Sequence, residues 1–145
     1  MLDQKTAPYA ALLLRVTLAI AFLAHAGLKL FVFTPAGTAG FFDSVGLPSF
    51  LAYIVISAEI IGAIALLLGY KTRVVAVVLA PVLLGATIFV HGANGWLFTN
   101  QGGGWEFPVF WLAALISMGL LGDGAYSLSA KFQTRLNPEQ TVSRI

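Results

Sequence analysis

Four apolar stretches dominate the sequence, each close to the roughly 20 residues an α-helix needs to cross a ~30 Å hydrocarbon core. They run from about Tyr9 to Leu30, Pro48 to Leu68, Val74 to Gly92 and Phe107 to Gly122. A soluble domain is about half apolar and about a quarter charged. This chain of 145 residues is 59% hydrophobic and 10% charged, with mean hydropathy +0.90. It lacks the polar surface to face water on all sides, so lipid must be much of its solvent. The expectation is an all-α, polytopic membrane protein. It would be a four-transmembrane-helix antiparallel bundle, one domain over 1–145 with a polar tail at 127–145.

The connections differ in kind. Lys71-Thr72-Arg73 reads as a tight basic turn, whereas Phe31 to Leu47 and Ala93 to Glu106 are longer loops rich in Gly and aromatics. The tail from Ser127 reads as a short interfacial helix with a frayed end around Asn137-Pro138. Lys5, Lys71, Arg73, Lys131, Arg135 and Arg144 fall on one side of the four stretches. The positive-inside rule makes that side cytoplasmic and puts both termini there. Tyr9, Tyr70 and Tyr126 then mark the inner interface, and Trp96 and Trp105 the outer one. Ala24-His25-Ala26 resembles a signal-peptidase site, but Arg15 interrupts the apolar run and the run continues past Ala26. The first stretch therefore reads as a retained span. With a net charge of +2 and basic residues confined to segment ends, nucleic acid is not an expected partner. Without cysteine the chain has no disulfide, thiolate ligand or dithiol chemistry of its own.

Packing signals lie within the stretches. Ala58, Gly62, Ala65 and Gly69 form a stripe of small residues that lets helices approach closely. Pro81 removes a backbone donor and predicts a kink in the third helix.

Charges inside the apolar stretches constrain function most, because each costs at least ~2.5–3.5 kcal/mol at a helix centre and must find a partner or a cavity. At ~1.5 Å per residue, Arg15 lies roughly 9 Å and Glu59 roughly 15 Å from the inner boundary, so an Arg15–Glu59 pair is expected. It would fix helix register, or it would hold Glu59 as a proton-accepting group. A second group gathers near the outer face. His25 and Lys29 share a helical face, with Arg15 within ~80° of both. His91 ends the third helix and Glu106 begins the fourth. An antiparallel bundle puts His25, Lys29, His91 and Glu106 at one level, with Asn94 nearby. Three readings compete: Lys29 snorkelling with histidines capping carbonyls, a small-molecule pocket, or a metal site. No ligand spacing supports the metal, and Lys29 opposes a cation. A short echo links Phe22-Leu23-Ala24-His25-Ala26-Gly27 to Ile88-Phe89-Val90-His91-Gly92, as a duplicated hairpin would.

The order of these features resembles the DoxX family of bacterial membrane proteins over nearly the whole chain. The features are Arg15, Gly27, Lys29, Gly46-Leu47-Pro48, Glu59, Gly62, Gly69, Arg73, His91, Asn94-Gly95, Gly104-Trp105-Glu106 and Gly122-Asp123-Gly124-Ala125-Tyr126-Ser127-Leu128. The resemblance implies a four-helix bundle in the bacterial inner membrane. It also implies quinone-linked redox or oxidative-stress chemistry, with a soluble or membrane partner supplying electrons. If the chain is an enzyme, it is then a quinone-linked oxidoreductase subunit. In that reading Glu59, Arg15 and His91 carry the chemistry, and His25, Lys29, Asn94, Trp96 and Glu106 bind the ligand. Phe22, Phe89, Trp96 and Trp111 line its apolar part. A non-enzymatic subunit that anchors a redox partner and a small transporter using Glu59 remain alternatives, as does a homo-oligomer. Asp123 is expected at the inner interface beside Arg73.

Overall fold

In lipid every backbone polar group must be satisfied within its own segment, so long apolar runs become helices. The computed structural model describes residues 3–136 and is helical throughout its regular parts. Helix α1, Ala7–Gly27, continues as a wide π-helical turn, Leu28–Val32. Helix α2, Pro35–Ser44, is short, and α3 spans Phe50–Leu68. Helix α4, Thr72–Gly85, opens into a second π-helical segment, Ala86–His91, and a 3-10 turn, Gly92–Asn94. Helix α5 is Glu106–Leu121 and α6 is Leu128–Leu136. Among the described residues three helical units are long and apolar enough to cross a membrane: Ala7–Val32, Phe50–Leu68 and Thr72–Asn94. Helix α5 has 16 residues and rises only ~24 Å.

Helix α1 packs mainly on α3 and α4 on α5, with thinner seams between α3 and α4 and between α1 and α5. The four close around a core that includes Leu18, Phe22, Leu66, Leu79, Trp111 and Leu115. Leu13, Val77, Phe110 and Leu120 point outward and stay more than 70% exposed, the arrangement expected of surfaces solvated by lipid. Gly62 lets α3 and α4 close together, since a Cβ there would stand 2.8 Å from a Leu79 methyl. Pro81 sits inside α4 without ending it, and α-helical spacing gives way only at Ala86.

Helix α2 was not expected between the first two spans. The local signal is the Thr34-Pro35 pair: the Thr34 hydroxyl accepts from the Gly37 N–H at 3.2 Å, and Pro35 occupies the first turn, as helix starts prefer. The C-terminal helix appears as expected; the frayed end around Asn137-Pro138 lies outside the described residues.

The aromatic rings mark two ends. Tyr9 and Tyr126 meet edge to face at 6.3 Å, and Trp96 meets Trp105 at 4.5 Å. At the tyrosine end a polar lock ties three turns together. Arg15, 1% exposed, donates from Nη2 to the Ala125 carbonyl at 3.1 Å. Its guanidinium fills the space that a side chain on Gly69 would need. Asp123 Oδ1 accepts from the Thr72 backbone N–H at 2.8 Å and from its hydroxyl at 2.7 Å. The carboxylate thus caps the start of α4 instead of pairing with Arg73, because the open N–H groups of a helix start are the nearer donors. The Ala125 N–H reaches the Pro8 carbonyl at 2.9 Å, and Ser129 Oγ accepts from Lys71 N–H at 3.2 Å. Burial raises the Asp123 carboxyl, but the Thr72 donors, Ser129 and the Arg15 charge outweigh it and hold the group below its ordinary value of 3.8.

Two outcomes follow for this lock. Gly69 has φ +64°, so Gly69→Ala incurs about 1–2 kcal/mol for the left-handed backbone alone and also displaces Arg15. Thermal unfolding in detergent should show a clear drop. The depressed Asp123 carboxyl contributes stability that is complete above its unfolded value and lost as pH falls through the lower folded value. The melting-temperature gap between wild type and Asp123→Asn should therefore be constant near neutrality and close below about pH 4.

Candidate functional site

Side chains on a helix lean toward its N-terminus. For α1 that direction is the tyrosine end, and it decides how the charges pair. Arg15 leans into the lock described above and does not reach Glu59, so the expected Arg15–Glu59 pair is replaced. Lys29, in the π-helical turn that continues α1, leans back into the bundle and donates to both Glu59 oxygens, at 2.6 and 2.8 Å. The Lys29 side chain is 19% exposed and that of Glu59 only 4%. A bidentate, part-buried ion pair thus joins the π-helical turn after α1 to the middle of α3.

The π-helical turn shapes the surroundings of Lys29. The Phe33 N–H, which would serve the Lys29 carbonyl in an α-helix, reaches back to Leu28 at 2.9 Å instead. The freed Lys29 carbonyl accepts from the Thr38 hydroxyl at 3.4 Å, a hydroxyl that also serves the Thr34 carbonyl at 2.9 Å. Helix α2 is tied to the ion-pair level in this way.

One turn before Lys29, His25 stands edge-on to Trp111 with ring centres 4.8 Å apart. Phe22 and Phe107 complete a cluster around the indole, at 4.7 and 5.7 Å. His25 is within electrostatic range of Lys29 and His91. The Trp111 Nε1–H is buried and has no hydrogen-bond partner among the described residues. An unpaired buried donor costs about 1–3 kcal/mol, so it is a place where an acceptor would be welcome.

His91 and Asn94 hold the loop at the tryptophan end. His91 Nδ1 lies 2.9 Å from the Gly103 carbonyl. A carbonyl only accepts, so Nδ1 carries the proton and a neutral ring leaves Nε2 as the free lone pair. Asn94 Nδ2 reaches the carbonyls of Val90, Gly102 and Gly103 at 3.2, 3.0 and 3.0 Å. Trp96 and Glu106 stand apart from the ion pair. They line an open groove of about 460 Å³ with Phe98, Phe107, Val109, Phe110 and Ala113. The single outer level read from the sequence therefore divides into an interior group (His25, Lys29, with His91 in electrostatic range), a loop pin (Asn94) and a groove (Trp96, Glu106). Glu59 joins the interior group, and Arg15 sits at the opposite end. Among the described residues no three His, Cys, Asp or Glu side chains come together as a metal site would need. Trp111 had entered the sequence reading only as apolar lining; its unpaired N–H is visible only once the helices are packed.

A family model described as DoxX matches residues 10–92. An uncharacterized protein of Haemophilus influenzae is 34% identical over 130 residues, which cover 89% of this chain and 95% of that one. The chain belongs to the DoxX family. It is a multi-pass membrane protein. A Bacillus subtilis protein named "Putative oxidoreductase CatD" is 47% identical over 79 residues, 54% of this chain. The match spans 58% of that relative's length. No solved structure matches. The DoxX match contains Arg15, His25, Lys29, Glu59 and His91 and stops short of Asn94, Trp96, Glu106 and Trp111.

Breaking one side of a buried pair leaves an uncompensated charge, at a cost of about 3–5 kcal/mol. Glu59→Gln should destabilise this DoxX protein by that order. The double variant Lys29→Met/Glu59→Leu should recover most of the loss, as read by unfolding in the same detergent.

Proposed function

We propose that the DoxX bundle binds a quinone-class ligand between α1, α3 and α5 and acts as the membrane component of an oxidoreductase. The observation that carries this reading is a buried Trp111 N–H with no partner among the described residues, beside His25 and one helical turn from the Lys29–Glu59 ion pair that joins the first span to α3. A quinone offers two carbonyl acceptors on an apolar ring. Its reduction takes up two electrons and two protons, and the electrons come from a redox partner. The donor set suits such a ring: Trp111 Nε1–H and the Lys29 ammonium donate to oxygen, and Phe22 and Phe107 contact its faces. Lys29 stabilises negative charge at the oxygen it faces. Glu59, released from Lys29 as that charge develops, holds and passes a proton, with His25 and the free Nε2 of His91 as the other carriers. The relative named for oxidoreduction supports the reaction class.

In this reading α5 is the fourth span. Its shortfall is made up by the tryptophan-bearing loop settling at the interface. The basic Lys71–Arg73 turn and both tails face the cytoplasm, where an electron-donating partner docks.

The test is mass spectrometry of lipophilic molecules that co-purify with the gently solubilised protein. Wild type should carry a near-stoichiometric quinone, depleted in Trp111→Phe and Glu59→Gln. A wild type without any such molecule would overturn the reading.

A further inference from the structure

At the tyrosine end the exposed cations have no carboxylate to answer them. Lys71, Arg73 and Lys131 are exposed, and the one ion pair among the described residues is Lys29 with Glu59. Asp123, the acid of the polar lock, is taken up by the Thr72 N–H and hydroxyl. The tryptophan end has the opposite sign. Beyond Lys29 it holds Asp43 and Glu106 and no Lys or Arg among the described residues.

Two of these cations are folded back to the level where the spans end. Lys71 Nζ lies 5.5 Å from the centre of the neighbouring Tyr70 ring. The Arg73 guanidinium lies over the end of α5: its Nε and Nη2 stand 3.6 Å from the point that a Cβ on Gly122 would occupy, and Gly122 closes that helix. Just below, Gly119 and Ala76 bring α4 and α5 together, since a Cβ on Gly119 would stand 3.0 Å from the Ala76 methyl. Arg73 therefore heads the α4–α5 seam. Beneath it, Val77 on α4 and Leu120 on α5 present exposed hydrocarbon. The surface is also held in place before any ligand arrives. Lys71 N–H donates to Ser129 Oγ at 3.2 Å and Ser129 N–H to the Gly69 carbonyl at 3.3 Å. These bonds seat the first turn of α6, which carries Lys131, on the α3–α4 turn, and such preorganisation lowers the ordering cost of binding.

We infer that the tyrosine end binds an anionic phospholipid, with its head group against Lys71 and Arg73 and an acyl chain along Val77 and Leu120. Guanidinium and ammonium groups both suit phosphate oxygens, and basic side chains at a membrane surface favour anionic lipid. The cations stand among the exposed rings of Tyr9, Tyr70 and Tyr126, at the head of an apolar seam. That layout matches a molecule charged at one end and hydrocarbon below. An acidic protein would need the charge without the seam. The inference goes beyond the quinone reading and does not depend on it.

The test uses the whole protein, delipidated in a non-ionic detergent and titrated with dioleoyl phosphatidylglycerol or dioleoyl phosphatidylcholine. Bound lipid is counted by native mass spectrometry. Wild type should bind the anionic lipid about 25-fold more tightly, the effect of two surface cations. The preference should shrink as ammonium acetate rises from about 0.1 M to about 1 M and the screening length falls from ~10 to ~3 Å. Lys71→Asn/Arg73→Gln should bind the two lipids alike; asparagine tolerates the left-handed backbone at position 71, where φ is +48°. A cooperative unfolding transition in phosphatidylcholine shows that this variant folds, and Lys71→Arg/Arg73→Lys, which keeps both charges, should keep the preference. Equal affinity of the wild type for the two lipids overturns the inference, as does a preference that survives removal of both charges. Binding of polyglutamate, or of the chain-free head group glycerophosphoglycerol, as tightly as the lipid makes this a surface for soluble acidic partners and overturns the lipid assignment.

Discussion

A carboxylate halfway along an apolar helix has no acceptable place facing lipid, and Glu59 must therefore be met from inside the bundle. Lys29 meets it with two hydrogen bonds from a single ammonium, which sets how α1 lies against α3. That contact is one of the two most extensive seams among the described residues. Other features follow from it. The first span runs on to Val32 as a π-helical turn, and α2 folds back to supply Thr38 to the exposed carbonyl. His25, one turn earlier, is brought against Trp111. Stability and the proposed chemistry are linked here, since the ammonium that closes the seam is also the one assigned to a ligand oxygen.

The two ends of the bundle divide the work. At the tyrosine end Arg15, Asp123 and Thr72 join the beginning of α1, the α3–α4 turn and the α5–α6 turn in one dense knot. Arg15 is buried there, and Gly69 has no side chain, so the guanidinium can fit. At the tryptophan end the loop is long and glycine-rich, its aromatics are exposed, and side chains of His91 and Asn94 hold carbonyls that no helix satisfies. A rigid end opposite an accessible one suits a bundle that admits something from the membrane without coming apart.

Much of this was legible in the sequence, and the exceptions have physical causes. The apolar stretches and their turns follow from hydropathy, because lipid leaves a backbone few alternatives to helix. The need for Arg15 and Glu59 to find partners was also legible. Their choice of partner was not, because it depends on side-chain lean and relative helix height. Height alone suggests an Arg15–Glu59 pair, whereas helical geometry tilts Arg15 toward the tyrosine end and leaves Glu59 to Lys29. Helix α2 was passed over because ten residues containing two glycines carry little helical propensity, and its cap at Thr34-Pro35 is a two-residue signal. The outer cluster reads as one site from height along the bundle, because azimuth is legible within one helix but not between helices before they pack. Glu106 lies at the level expected but on the groove side of α5, around the helix from Trp111.

The π-helical turn after Gly27 has a further consequence. Such a turn holds one residue more per hydrogen-bonded loop than an α-turn, so everything beyond it is rotated by roughly 100° relative to a regular continuation. Deleting a single residue between Gly27 and Thr34 would restore regular winding, swing α2 around the axis of α1 and carry Thr38 away from the Lys29 carbonyl. In that stretch the protein is constrained by residue count more than by residue identity. Homologues would then be free to exchange one apolar side chain for another there, while insertions and deletions would be excluded.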